Sequence, residues 1–185
     1  MKDLSLHILD IAENSIAAEA KNIHIHISES GKDNLLTLEI TDDGKGISKD
    51  MLKIVADPFV TTKKSKKVGL GISLLKSACE LAEGKLVIES NEGVGSTLKA
   101  TFKLNHIDRK PLGDIKQTLE ILTLGYQDVN FIFTHEKGKN IFKFDTNDLK
   151  KNIEYQSDTS ISLLNTVRKY LKDHHFKEFI HEIKV

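Results

Sequence analysis

Leu4, Ile8, Ile11 and Ser15 recur at helical spacing, with His7, Asp10 and Asn14 on a second stripe, so the chain opens on a helix. Over residues 21–28 the period changes to two. Ile23, Ile25 and Ile27 share one face and His24 and His26 the other, the pattern of a half-buried strand. Leu36, Leu38 and Ile40 repeat the alternation until Asp42-Asp43-Gly44-Lys45-Gly46, a turn signal. The lysine-rich residues 61–67 carry no apolar period and are expected as a loop. Helical spacing returns over residues 71–83 through Ile72, Leu75, Cys79 and Ala82, and Gly84 is placed to end that helix. Residues 85–90 and 97–104 read as two more strands, the second alternating Leu98, Ala100, Phe102 and Leu104.

Half-buried strands separated by amphipathic helices predict an α+β fold, one sheet covered by helices on one side. The face bearing His24 and His26 is the one expected to lack helices, and the one on which the rest of the chain is expected to dock. After Leu104 the pattern breaks. Residues 1–105 form the first unit, 106–111 read as a linker, and 112–185 as a small α+β unit. Pro111 suits the first turn of a helix over 112–124. Strands over 129–133 and 140–145 flank a hairpin turn at His135-Glu136-Lys137-Gly138, and helices follow over 145–153 and 160–180. Leu163, Leu164, Val167, Leu171 and Phe179 form a packing stripe. His174, Glu178 and His181 share another stripe, but the outer pair stand about 10 Å apart along the axis, too far to share an ion readily.

Composition narrows the classes. Across 185 residues, 27 acidic side chains balance 27 basic ones, so nothing favours nucleic acid as a partner. Cys79 stands alone, which fits a reducing cytoplasm and most simply a core position. The first residues lack the cationic start and long apolar run of a signal peptide, and no later window is apolar enough to span a membrane. A soluble, cytoplasmic protein is expected.

Four features carry candidate chemistry. Asp10 and Asn14 lie one turn apart on the first helix and present a carboxylate beside an amide. The carboxylate is suited to take a proton from water and the amide oxygen to ligate Mg²⁺, although a solvated helix face has the same composition. Asp42 at a strand end is suited to accept from the amino group of a flat base, and Gly44 and Gly46 admit close approach; an Asp-Gly turn looks alike. Gly69-Leu70-Gly71 opens a helix whose free N–H groups suit phosphate, yet no strand precedes it and no P-loop spacing occurs. Gly93-Val94-Gly95-Ser96-Thr97 reads as a hairpin loop.

Their order is more telling than any one of them. Asn14 on the first helix precedes Asp42-x-Gly44-x-Gly46 and Pro58-Phe59-Val60-Thr61-Thr62-Lys63. Gly69-Leu70-Gly71 and Gly93-x-Gly95-Ser96-Thr97 follow, and the whole series resembles the GHKL ATPases over residues 1–104. Asp57 to Lys63, Gly69 to Ser73 and Glu89-Ser90 are similar to histidine kinases of that group. Glu13-Asn14-Ser15 with Ala20 and Ile23 is closer to MutL.

The resemblance implies the Bergerat ATP-binding fold, a two-layer α/β sandwich, with ATP and Mg²⁺ as cofactors. It implies that Asn14 holds Mg²⁺, that Asp42 accepts from the adenine amino group and that Gly44 and Gly46 lie against the base. Residues 61–68, with Thr62 and Lys63, become a short lid; Gly69, Leu70 and Gly71 meet the phosphates; Thr97 adds a polar contact near the base.

Two departures follow. Asp10 stands where gyrase and MutL carry a glutamate base, one methylene longer, so slow hydrolysis or none is consistent with it. Ala17 and Ala18 stand where many histidine kinases carry a lysine. With nine residues before Asp10, the module that bears a kinase's own phospho-accepting histidine is expected to be absent, and His7 is read as a helix-start residue. The expected activity is therefore transfer of the γ-phosphate to a separate protein, as anti-sigma-factor kinases do. An ATP-driven switch and a nucleotide-sensing module stand beside it, and a homodimer is compatible with any of the three.

Overall fold

A computed structural model of the chain describes residues 1–52, 71–151 and 159–173. Its elements run α1 (Leu4–Ala17), β1 (Asn22–Ser30), β2 (Leu35–Asp42), α2 (Lys49–Leu52), α3 (Gly71–Leu81), β3 (Leu86–Asn91) and β4 (Gly95–Lys103). They continue with α4 (Ile115–Gly125), β5 (Asn130–Lys137), β6 (Asn140–Asp145), α5 (Thr146–Lys151) and α6 (Thr159–Asp173). The strands make one sheet in the order β3-β4-β2-β1-β5-β6. All pairings are antiparallel except β1 with β5, which is parallel.

The alternation read in the sequence is the alternation of this sheet. Ile23, Ile25, Ile27, Leu36, Leu38, Ile40, Leu98, Ala100, Phe102, Phe131, Phe133, Phe142 and Phe144 are buried on one face. Over them, α1 packs between α3 and α4, and α4 meets α6. Leu4, Ile8 and Ile11 of α1 are buried as their stripe requires, each stabilising the fold by about 1.5–3 kcal/mol. Cys79 is buried, and burial pushes its thiol pKa up to about 12. Leu163, Val167 and Leu171 face the same core from α6. The result is a two-layer α/β sandwich. Among the described residues, no helix is long and apolar enough to cross a membrane.

On the opposite face, polar side chains pair across strands: Thr41 with Thr97 at 3.1 Å, Lys99 with Glu39 at 3.3 Å, and His24 with Thr134 at 3.3 Å. Among the described residues, the second part of the chain does not dock here. Its hairpin extends the sheet beyond β1, where Asn22 to Glu29 pair in register with Asn130 to Lys137, because β1 without β5 would leave a row of unpaired backbone groups.

Two local expectations change. The hairpin turn lies at Gly138, with φ +62°, and Lys137 pairs directly with Asn140, so His135 and Glu136 belong to the strand. His135 then continues the inward row of Phe131 and Phe133 and is buried. Pro111 does not begin α4. That helix starts at Ile115, with Asp114 accepting from Gln117 N–H at 2.9 Å. The carbonyls of Pro111 and Leu112 instead accept from the N–H groups of Leu4 and Ser5 at 2.9 and 2.8 Å. Together with Asp3, which accepts from Leu6 N–H at 3.1 Å, they satisfy three of the free donors at the start of α1. Residues 106–111 are thus fastened, and Arg109 Nε also reaches the Leu104 carbonyl at 2.6 Å.

At the end of β1, Glu29 meets His135 Nε2 at 2.8 Å and Lys137 Nζ at 3.5 Å. Burial alone would raise the Glu29 pKa, but the His135 hydrogen bond and the Lys137 charge outweigh it and hold the carboxyl below its ordinary value. A depressed folded pKa stabilises above the unfolded value and is lost as pH falls through the folded one. Glu29→Gln is therefore expected to lose about 1–3 kcal/mol of stability in urea unfolding at pH 7, the range for losing a charged hydrogen bond. The gap from the parent should narrow as pH drops through the carboxylate range; equal gaps at pH 7 and pH 3 would show that the charge is not responsible.

Candidate functional site

The two stripes of α1 divide its duties. One buries Leu4, Ile8 and Ile11, and the other brings Asp10 and Asn14 to a half-buried rim, where Asn14 Nδ2 donates to Asp10 Oδ2 at 3.4 Å. With its NH₂ turned to Asp10, Asn14 leaves its carbonyl oxygen for a cation. His7, on the same stripe, is buried, and burial lowers its pKa.

The start of α3 closes on this rim. A Cβ added to Gly71 would lie 1.6 Å from Asp10 Oδ2, so only glycine admits the carboxylate there. The positive end of the α3 dipole lies at Asp10, a setting that favours anionic groups.

Asp42 ends β2 with both oxygens held. Ser15 Oγ donates to Oδ2 at 2.8 Å and Gly44 N–H donates to Oδ1 at 2.9 Å. A carboxylate has about four lone-pair sites, so acceptor capacity remains for a ligand amino group. Ser15 follows Asn14 on the same helix, and α1 thereby fixes the distance between the amide and the carboxylate. The hydrophobic stripe placed Ser15 in the core; its role as the tether of Asp42 shows only once β2 is laid beside α1.

Asp43, the neighbour, does different work. Its carboxylate accepts from Asn22 Nδ2 at 2.7 Å, from Asn22 N–H at 2.8 Å and from Lys21 N–H at 2.7 Å, and these donors lower its pKa. Gly46 has φ +69°, and a Cβ there would sit 2.1 Å from the Asn91 carbonyl oxygen. The second glycine of the turn is thus required by the protein's own backbone.

Thr97 is not brought to this cluster. It is one residue out of phase, its hydroxyl meeting Thr41 on the face without helices. Ser96 is the residue opposite Asp42 and lies on its side of the sheet. Ser96 Oγ stands 3.0 Å from Ser90 Oγ, which accepts from Ile47 N–H at 2.7 Å and donates to the Gly95 carbonyl at 2.8 Å. The phase was available in the alternation, since Ser96 shares parity with Leu98, Ala100 and Phe102. Thr62, Lys63, Gly69 and Leu70 lie outside the described residues, as do His174, Glu178, Phe179 and His181. Among the described residues, no three His, Cys, Asp or Glu side chains are grouped to hold a metal. A Mg²⁺ carried by phosphates needs only one or two protein oxygens, and Asn14 fits that role.

A helix bearing a carboxylate–amide pair is thus laid over a mixed sheet and tethered to an aspartate at a strand end, in an α/β sandwich. Residues 2–106 match the family described as histidine kinase-, DNA gyrase B-, and HSP90-like ATPase, and the chain belongs to that family. Over 108 residues it is 32% identical to the sensor histidine kinase ZraS of Escherichia coli, covering 57% of this chain and 23% of that one. Sporulation kinase E of Bacillus subtilis is 32% identical over 96 residues, 51% of this chain and 13% of the kinase. The chain thus matches under a quarter of the length of these curated relatives. A crystal structure of the N-terminal domain of a DNA repair protein superposes with a TM-score of 0.58 at 14% identity, over 90% of this chain and 57% of that one. That likeness concerns the fold alone, and it extends past residue 106 into the second part.

Proposed function

We propose that this chain binds Mg-ATP and passes the γ-phosphate to a separate protein. The observation that carries it is the tether between Ser15 and Asp42, which puts a base-binding carboxylate at a fixed distance from Asp10 and Asn14. Asp42 accepts from the adenine amino group. Asn14 offers its amide oxygen to Mg²⁺, which when bound neutralises phosphate charge. Asp10 takes the proton of the attacking hydroxyl or imidazole as the bond from the γ-phosphorus to the ADP oxygen breaks. The histidine kinases among the relatives support transfer over hydrolysis, and so does the short Asp10 side chain, which reaches less far toward a water. A second reading, an ATP-driven switch, is favoured by one observation: the sheet runs without interruption from the family's strands into β5 and β6. Calorimetric titration with ATP and Mg²⁺ tests the site, and labelled γ-phosphate tests its fate. Label on a protein supports transfer; label released as free phosphate supports the switch; a folded chain that takes up no ATP removes both.

Gly71→Ala bears on the same site. The new methyl must push the Asp10 carboxylate away from Asn14. ATP affinity is expected to fall about tenfold, the worth of roughly one charged hydrogen bond, with little change in thermal midpoint. Calorimetry beside a melting curve checks this, and parent-like affinity would show that Asp10 can leave its place without consequence.

A further inference from the structure

The turn that carries Asp42 is joined to the last strands by side-chain amides that no step above uses. Asn22 Nδ2 donates to Asp43 Oδ2 at 2.7 Å, and Asn22 Oδ1 accepts from Asn130 Nδ2 at 3.5 Å. Asn130 Oδ1 accepts in turn from Thr146 Oγ1 at 2.8 Å and from Asn147 N–H at 3.1 Å, at the start of α5. Asn130 is only 9% exposed. Chemistry sets the orientation of both amides. A carboxylate only accepts, so Asn22 must turn its NH₂ to Asp43. A backbone N–H only donates, so Asn130 must turn its oxygen to Asn147. The two remaining ends then meet as acceptor and donor. Every bond points from α5 toward the turn, so each polarises the next. The backbone runs a parallel strut, Asn130 N–H to the Lys21 carbonyl at 2.8 Å.

We propose that Asn22 and Asn130 are positioning residues that couple occupancy of the nucleotide site to the corner between β6 and α5. The inference rests on the reading of Asp42 as the adenine-binding carboxylate. Asp42 and Asp43 are consecutive, one held from α1 by Ser15 and the other from β5 through Asn22. A base that draws on Asp42 moves the peptide it shares with Asp43, and the amides hand that shift to Asn147. Coupling of binding free energies is reciprocal, so whatever engages the β6–α5 corner alters ATP affinity by the same factor.

Asn130→Asp separates this role from a structural one. It keeps an acceptor for Thr146 and Asn147 and leaves the β1–β5 ladder intact, but it sets an oxygen against Asn22 Oδ1 and breaks the relay at one joint. Asn22→Ala breaks it at an exposed joint and serves if the first variant does not fold. Ser30→Ala, on the same strand at its far end, is the control. Each is titrated with ATP and Mg²⁺, and amide exchange over residues 140–151 is followed with and without saturating ATP. In the parent and the control, ATP is expected to slow exchange there. The relay variants should bind at least about fivefold more weakly and show no slowing even at saturation. ATP binding to the parent with unchanged exchange would overturn the coupling, as would relay variants that match the parent in both readouts. A parent that yields no binding heat removes the Asp42 reading and the coupling with it, an outcome the titration alone tells apart.

Discussion

Asp42→Asn is expected to weaken ATP binding by about 10- to 150-fold while the fold persists. Two donors, Ser15 Oγ and Gly44 N–H, converge on the carboxylate, and the adenine amino group would be a third. An amide offers one accepting oxygen where three donors arrive, and its own NH₂ must face at least one of them. Hydrogen bonds to a charged partner contribute about 1.5–3 kcal/mol each, and every 1.4 kcal/mol is about tenfold in affinity. Calorimetric titration of parent and variant, with circular dichroism to confirm folding, reads the result. Equal affinities would remove Asp42 from the site and leave the tether to Ser15 as a fold element.

Gly95→Ala is expected to have the largest effect on stability. Gly95 holds φ +132°, and a Cβ would fall 2.0 Å from the Asp42 carbonyl oxygen, a backbone atom that cannot swing aside. Left-handed strain and forced separation of the strands together cost about 2–6 kcal/mol. Against a total of about 5–15 kcal/mol for a domain, that is a large share. Denaturant unfolding should show a midpoint well below that of the parent; a shift under about 1 kcal/mol would mean that β2 and β4 slide apart at little expense. The strain lies between Asp42 and Ser96, so ATP binding should fail along with stability.

What could be read in advance followed the range over which each signal acts. The stripe Leu4, Ile8, Ile11 and the alternation of Ile23, Ile25 and Ile27 are local, and each is buried as its period requires. Asp42 was separable from Asp43 only by motif resemblance; the structure supplies the physical difference, one tied to Ser15 and the other to Asn22. A motif matched by residue type points to Thr97, whereas the phase of its strand puts Ser96 on the side of Asp42. The pairing of β1 with β5 joins residues more than a hundred positions apart, and a parallel register leaves no local mark. Nothing local marks Asn22 and Asn130 among the residues of their strands; only that pairing sets them side by side. Backbone partners are harder still, since the carbonyls of Pro111 and Leu112 belong to every sequence alike.

Those two carbonyls bear on where this chain can be divided. The family match ends at residue 106, a few positions before them. A cut at that point removes the acceptors from the first turn of the helix that carries Asp10 and Asn14. The same cut strips β5 from β1 and turns a central strand, with Ile23, Ile25 and Ile27 beneath it, into a bare edge open to pairing with other chains. The segment recognisable by descent is therefore shorter than the unit these bonds tie together, and excision at the recognisable border is expected to favour aggregation.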